Sequence, residues 1–211
     1  MITGIIFTLI AYLLGSINSS ILIGHLFGVE DIRKHGSGNA GSTNVLRTIG
    51  IKAAALTFLF DVLKGVIPVV LAHFICMQNG FLFMLTSAFA VVIGHIFPVF
   101  FGFKGGKGVA TSLGAITMVS IYSGVWWITP VLLLIWIGIV LFTRYVSLGS
   151  VLVFGLYPLI VATTFINDMD INYIFYTVFA FLLGGMGIFM HRKNIERLIA
   201  GTESKIGQKA K

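Results

Sequence analysis

Long apolar runs alternate with short polar, glycine-rich stretches along the whole of this 211-residue chain. Seven apolar segments stand out, approximately 3–26, 52–76, 81–102, 109–125, 127–143, 147–166 and 173–190. A bilayer span needs about 20 mostly apolar residues, and nearly the whole chain is made of such runs. The stretch 109–143 is too long for one helix at about 1.5 Å rise per residue. Trp126 and Trp127, with Pro130 just beyond, mark its break, because such aromatics favour the membrane–water interface. The first run follows Met1 without a basic residue and lacks a small-residue cleavage site, so it reads as a first membrane helix rather than a removed signal peptide. The pattern predicts an all-α integral membrane protein, seven transmembrane helices in a single membrane-embedded domain over 1–211.

Composition agrees. Only 10% of residues are charged and 57% are hydrophobic, against roughly 25% charged in a soluble domain, and the mean hydropathy is +1.02. The net charge of +7 reads better as the positive-inside rule than as a nucleic-acid footprint, because the basic residues cluster in particular loops. With the N-terminus outside, Arg33, Lys34, Arg47 and Lys52, then Lys104 and Lys107, then Arg144, and finally the tail from Arg192 to Lys211 all fall on one side. The opposite connections, Met77–Gly80, the Trp turn and Asn167–Asn172, hold no Lys or Arg. The expected orientation is therefore N-outside and C-cytoplasmic, with the glycine-rich loops in the cytoplasm. The single cysteine, Cys76, excludes an intrachain disulfide and a Cys-rich metal site and reads as a packing residue.

The most chemically suggestive stretch is Gly102–Ser112, G-F-K-G-G-K-G-V-A-T-S. Its glycines, among them Gly105, Gly106 and Gly108, leave backbone N–H groups unshielded, and Lys104 and Lys107 add positive charge. That is the chemistry of a phosphate cradle, reinforced by a helix expected to start near Val109 with its positive end toward the loop. It is not a nucleotide P-loop: Phe101 stands where the first glycine belongs, and Gly108 rather than Ser or Thr follows Lys107. A second polar loop, Asp31–Arg47, combines Gly36, Gly38 and Gly41 with Ser37, Asn39, Ser42, Thr43, Asn44 and Arg47. Its hydroxyls and amides offer hydrogen bonds, and Arg47 can grip a phosphate through two parallel N–H bonds. The bland alternative is an interhelical loop whose Thr43 or Asn44 caps the next helix.

Four further features carry less. In Arg144–Ser150, Ser147 and Ser150 are better read as helix caps than as ligand contacts. In the tail, His191 and Asn194 share a helical face, though a basic membrane-surface segment would read similarly. Asp61 and Lys64 lie inside the second apolar segment at i, i+3, where they can pair and reduce the cost of entering the bilayer. His95, in G-H-I-F-P, reads as a hydrogen-bonded structural histidine.

Taken together, the motifs Ser37-Gly-Asn-Ala-Gly-Ser-Thr-Asn-Val-Leu-Arg47, Gly94-His-Ile-Phe-Pro98 with Phe103-Lys-Gly-Gly-Lys-Gly-Val-Ala-Thr111, and His191-x-x-Asn-Ile-x-Arg-Leu-x-x-Gly-x-Glu-x-Lys205 resemble those of the bacterial acyl-phosphate:glycerol-3-phosphate acyltransferases. The resemblance runs in order over essentially the whole chain. It implies transfer of a fatty acyl group from acyl phosphate to the 1-hydroxyl of glycerol 3-phosphate, the first step of phospholipid synthesis. From the residues themselves, nothing clusters with metal-ligand spacing, so no metal and no cofactor are expected. The resemblance also implies catalytic roles for Ser37, Arg47, Lys104, His191 and Asn194. Glycerol 3-phosphate binding would fall to Gly105, Gly106, Lys107 and Gly108, alongside Gly38, Asn39, Gly41, Thr43 and Asn44. Glu203 would be structural, and the site serine of the third loop would be Ser147 or Ser150, with Ser147 preferred.

Such a reaction asks mainly for positioning and charge stabilisation, because phosphate is already a good leaving group. The proton acceptor is left open between His191 and the substrate's own phosphate. An acyl-enzyme on Ser37 lacks an evident His–Asp partner. His25 with Glu30 and His191 with Glu196 have the spacing of another acyltransferase motif but not its aspartate. The rival class is a transporter of a phosphorylated solute, which would favour polar groups near the midplane rather than in loops on one face.

Overall fold

The structure is a computed structural model and describes residues 1–76, 80–168 and 170–208. Residues 77–79 of the expected Met77–Gly80 connection, Met169 in Asn167–Asn172, and Lys209 and Lys211 of the tail lie outside the described residues. Every described regular element is helical: α1 Ile2–Gly15, α2 Ser19–Leu26, α3 Ser42–Thr48, α4 Ile51–Ile75, α5 Gly80–Ile96, α6 Val109–Tyr122, α7 Ile128–Thr143, α8 Val146–Thr164, α9 Ile171–Met190 and α10 Arg192–Ile199, with 3₁₀ turns at Ile32–Lys34 and Val99–Phe101.

The seven expected apolar segments all appear as helices. Five runs are long and apolar enough to cross a bilayer: Ile2–Leu26, Ile51–Ile75, Gly80–Phe101, Val146–Thr164 and Ile171–Met190. The other two, α6 and α7, have 14 and 16 residues. At about 1.5 Å per residue both fall short of a hydrocarbon core of roughly 30 Å.

One expectation needs correction. The first segment is not a single helix: it breaks between Gly15 and Ser19. Asn18 has left helical geometry, and its side-chain oxygen accepts from Ile21 N at 3.2 Å and from Ser20 Oγ at 2.8 Å, restarting the chain as α2. Short polar side chains offer the backbone this alternative to the helical ladder. Ile17 O, released by the break, accepts from Lys64 Nζ at 2.9 Å. The break is therefore satisfied by a charge from α4.

The chain divides into two compact units, Met1–Val119 with the chain end from Gly207, and Ser120–Ile206. In the first, α1 packs on α5, and α4 packs on α5, α1, α2 and α3. Close approach comes from glycines: a Cβ on Gly15 would run into Val91 O, and one on Gly94 into Tyr12 O. Gly65 and Gly114 do the same for α4 against α6 (Thr111 O and Val62 O). Small residues at helix crossings let backbones meet where lipid supplies no hydrophobic drive between helices. In the second unit α8 packs between α7 and α9, with α10 against α8 and α9, and Gly184 meets Phe154 O.

Apolar side chains also cover the exterior, including Leu13, Phe58, Leu134, Phe142 and Phe181. An apolar coat of this extent suits a lipid solvent, not water. Asp61 and Lys64 pair as the spacing predicts, Nζ to Oδ1 at 2.8 Å, both largely buried.

Candidate active site

Both glycine-rich loops belong to the first unit, and they meet there. The first loop is wound around Asn44. That side chain sits in α3 and is 1% exposed. Its Nδ2 donates to Ile32 O at 3.1 Å and His35 O at 2.9 Å, and its Oδ1 accepts from Ser37 N at 2.8 Å. The turn closes only because Gly36 (φ +58°) and Gly38 (φ +70°) adopt left-handed conformations, and a Cβ on Gly36 would overlap Asn44 Oδ1. Neither Thr43 nor Asn44 caps a helix. The N-cap of α3 is Gly41, without a side-chain bond, and Arg47 falls in the last turn. Ser37 is exposed at the loop's rim.

Arg33 joins this loop to the second. Its Nε and Nη2 bind the Asp31 carboxylate at 2.9 to 3.2 Å, while Nη1 donates to Phe101 O at 2.8 Å and Lys104 O at 3.0 Å. The Arg33 hydrogen bonds, outweighing desolvation, hold the Asp31 carboxyl below its ordinary range. The same Asp31 contact raises Arg33 further above neutrality. The two loops also touch directly: a Cβ on Gly106 would overlap both Ala40 O and His95 Nε2.

The second loop departs from the simplest phosphate nest. Gly105 N and Gly106 N do not face outward; they donate to Ile96 O at 3.1 Å and His95 O at 3.2 Å, terminating α5. The amides offered to an anion are those of the first turn of α6, Val109 to Thr111. Gly108 (φ +80°) precedes α6, and Ser112 N makes the first helical bond, to Gly108 O. A helix start leaves its first N–H groups without intrahelical acceptors. Lys104 is exposed and Lys107 half-buried beside that start.

The Arg144–Ser150 loop and the tail motif from His191 gather in the second unit around Glu203. Ser147 Oγ donates to Oε1 at 2.8 Å, Asn194 Nδ2 to the same oxygen at 2.7 Å, and Arg197 Nε to Oε2 at 2.6 Å. Desolvation works against the buried carboxylate, but these hydrogen bonds and the Arg197 charge outweigh it and hold its pKa below the ordinary value. His191 is the N-cap residue of α10, and its Nδ1 lies 2.7 Å from Gly187 O, which fixes the tautomer carrying its N–H on Nδ1. The cap role expected of the two serines does not occur: Tyr145 is the N-cap of α8, with no side-chain bond. Ser150 donates to Val146 O at 2.9 Å and accepts from Trp136 Nε1 at 3.2 Å, so it links α7 and α8, while Ser147 joins the Glu203 cluster. The tail is tied down rather than merely lying on a surface, with Ile206 N donating to Arg144 O at 2.8 Å and Arg144 Nη2 to Ile206 O at 3.0 Å.

Sequence reasoning missed Arg33 and Arg197. The D-x-R spacing Asp31–Arg33, which lets the aspartate turn back on the arginine, was the available signal for the first. The Asn194–Arg197 spacing, one helical turn, was the signal for the second.

A family model described as glycerol-3-phosphate acyltransferase matches residues 5–201. A glycerol-3-phosphate acyltransferase of Thermoanaerobacter pseudethanolicus is 43% identical over 206 residues, covering 95% of this chain and 94% of that protein. Two crystal structures of PlsY (YgiH), an integral membrane glycerol 3-phosphate acyltransferase, align with this fold. Its glycerol 3-phosphate form does so at 40% identity with a TM-score of 0.84, and the form with lysophosphatidic acid at 38% and 0.81. Each alignment covers 97% of this chain and 96% of the other. With the three motifs, the helical membrane fold and matches spanning both units in agreement, the chain belongs to the glycerol-3-phosphate acyltransferase family.

Proposed function

We propose that this protein transfers a fatty acyl group from acyl phosphate to the 1-hydroxyl of glycerol 3-phosphate, giving 1-acylglycerol 3-phosphate and inorganic phosphate. The observation that carries the reading is the junction of the two glycine-rich loops, through Arg33 and at Ala40–Gly106, in a chain of this family. The junction brings Lys104, Lys107 and the start of α6 together with the loop bearing Ser37 and Arg47, and so gathers donors suited to an anionic substrate.

In this proposal the 1-hydroxyl oxygen attacks the acyl carbon, the bond from that carbon to the phosphate oxygen breaks, and the electron pair leaves with phosphate. Arg47, Lys104 and Lys107 offset the charge of reactants and leaving group. Gly38, Asn39, Gly41, Thr43 and Gly108 shape the loop surfaces against glycerol 3-phosphate. Asn44, Gly105 and Gly106 serve by holding the loops in shape, since their polar groups are spent on the protein. Ser147 and Asn194 act with Glu203. The hydroxyl proton passes to His191, whose tautomer places the ring lone pair on Nε2, or to the departing phosphate itself. The acyl chain lies among apolar helices, each buried CH₂ contributing about 0.8 kcal/mol.

The proposal extends to topology: one acyltransferase domain in a bacterial plasma membrane, seven spans, of which the short α6 and α7 cross where the bilayer thins around them, N-terminus outside, with the basic loops and tail in the cytoplasm. The charge distribution supports it, because the described connections assigned to the outside carry no Lys or Arg.

The test is turnover by purified protein. Phosphate release requiring both acyl phosphate and glycerol 3-phosphate, with 1-acylglycerol 3-phosphate as product, is the expected result. Equal turnover with acyl-CoA or acyl-carrier protein would overturn the donor assignment, and no acyl transfer from any donor would overturn the reaction.

A further inference from the structure

Three ionisable groups sit inside the membrane-spanning part of the first unit, away from both loops in sequence. Asp61 is 2% exposed and His95 is 4% exposed. One carboxylate oxygen, Asp61 Oδ1, faces both partners, with Lys64 Nζ at 2.8 Å and His95 Nδ1 at 3.4 Å. Lys64 Nζ also donates to Ile17 O at 2.9 Å, in the break between α1 and α2. Burying charge in a span is costly and survives only where the groups have partners and a use. The Asp61–Lys64 pair explains how the charges are tolerated. It does not explain why the carboxylate also meets a histidine.

The other end of that histidine supplies the reason. His95 Nε2 lies against Gly106, where a side-chain Cβ would overlap it, and Ala40 O crowds the same Cβ position. His95 O and Ile96 O accept from Gly106 N and Gly105 N. The ring therefore stands beneath the crossing of the two loops, with its opposite nitrogen toward Asp61. α4 touches the loop's exit as well, because Gly65, the residue after Lys64, abuts Thr111 O in the first turn of α6.

We propose that Asp61 and His95 are positioning residues for glycerol 3-phosphate binding: the carboxylate orients the imidazole, and the imidazole sets the Gly105–Gly106 turn against Ala40 and so the aim of the loop that follows. The inference rests on the proposed function, and it assigns the buried pair to one substrate only. Neither group needs to touch substrate, and Lys64 neutralises the carboxylate and pins the helix break. A loop displaced by a fraction of an ångström loses binding without losing the fold.

The test uses purified wild-type protein, Asp61→Asn, His95→Gln and the double variant. It measures KM for glycerol 3-phosphate, KM for acyl phosphate, kcat, and glycerol 3-phosphate binding by calorimetry. Each single variant is expected to raise the glycerol 3-phosphate KM and the calorimetric Kd by about tenfold, with the acyl phosphate KM unmoved. The double variant should be no worse than His95→Gln alone, because Asp61 acts through His95. Should Asp61→Asn fail to fold, His95→Gln, which leaves the Asp61–Lys64 pair intact, carries the test. An unchanged glycerol 3-phosphate KM in His95→Gln overturns the proposal, as do parallel rises in both KM values or fully additive single effects. Wild-type protein that binds glycerol 3-phosphate but transfers no acyl group would sink the reaction while leaving the binding comparison to decide this inference.

Discussion

Glu203 shows how much one side chain can organise: a serine from α8, an asparagine and an arginine from α10 all donate to its two oxygens. Because its pKa is lowered by folding, its contribution to stability is complete above the ordinary carboxylate value of the unfolded chain and is lost as pH falls through the lower, folded value. Glu203→Gln is expected to lose about 1–3 kcal/mol through unsatisfied donors. Thermal unfolding in detergent should show a lower midpoint at neutral pH and a smaller further drop on acidification than in wild type. A Gln variant with the wild-type midpoint at pH 7 would contradict the structural role. Arg47→Ala should lower kcat by at least about a hundredfold if its charge stabilises the leaving phosphate, with calorimetric binding of glycerol 3-phosphate retained; full activity would remove Arg47 from the mechanism. The roles of Arg33 and Arg197 were hidden at this scale. In a membrane protein, basic loop residues already have an explanation in topology, and the carbonyls that Arg33 reaches lie 68 and 71 positions away.

At the scale of elements, hydropathy located every apolar helix, because lipid demands long apolar runs and internal backbone bonding. It did not locate the break at Ser16–Asn18, where a polar cluster inside an apolar run looks like tolerated small residues until Asn18 is seen capping α2. The glycine loop was legible as an anion-binding composition but not in detail. Glycine content announces exposed amides, yet Gly105 and Gly106 spend theirs on the end of α5. Whether an amide faces a carbonyl or a cavity depends on tertiary placement that composition does not encode. Gly106→Ala tests the element directly. The added methyl meets the backbone oxygen of Ala40 as well as the His95 ring, so the loops must separate. The expected outcome in steady-state kinetics is a glycerol 3-phosphate KM raised about tenfold or more with the acyl phosphate KM unmoved. An alanine variant with wild-type kinetics would show that the close approach does not matter.

Across the whole molecule, the charge distribution makes a topological prediction that labelling can check. Single cysteines in a Cys76→Ser background should react with an impermeant thiol reagent from outside the cell at the Trp126–Trp127 turn, and at Lys205 only after the membrane is opened. The reverse pattern would invert the orientation. The polar loops, by contrast, could be assigned to an anionic substrate from sequence, but not shown to meet, since nothing in one loop's composition names its neighbour. That meeting, at Ala40, Arg33 and Gly106, is what the account depends on. The most direct measurement is a crystal structure of this protein with glycerol 3-phosphate bound. The account predicts the phosphate within hydrogen-bond distance, about 3 Å, of Lys104 or Lys107 and the first amides of α6, beside the Ser37–Arg47 loop. A phosphate seated anywhere else would contradict it.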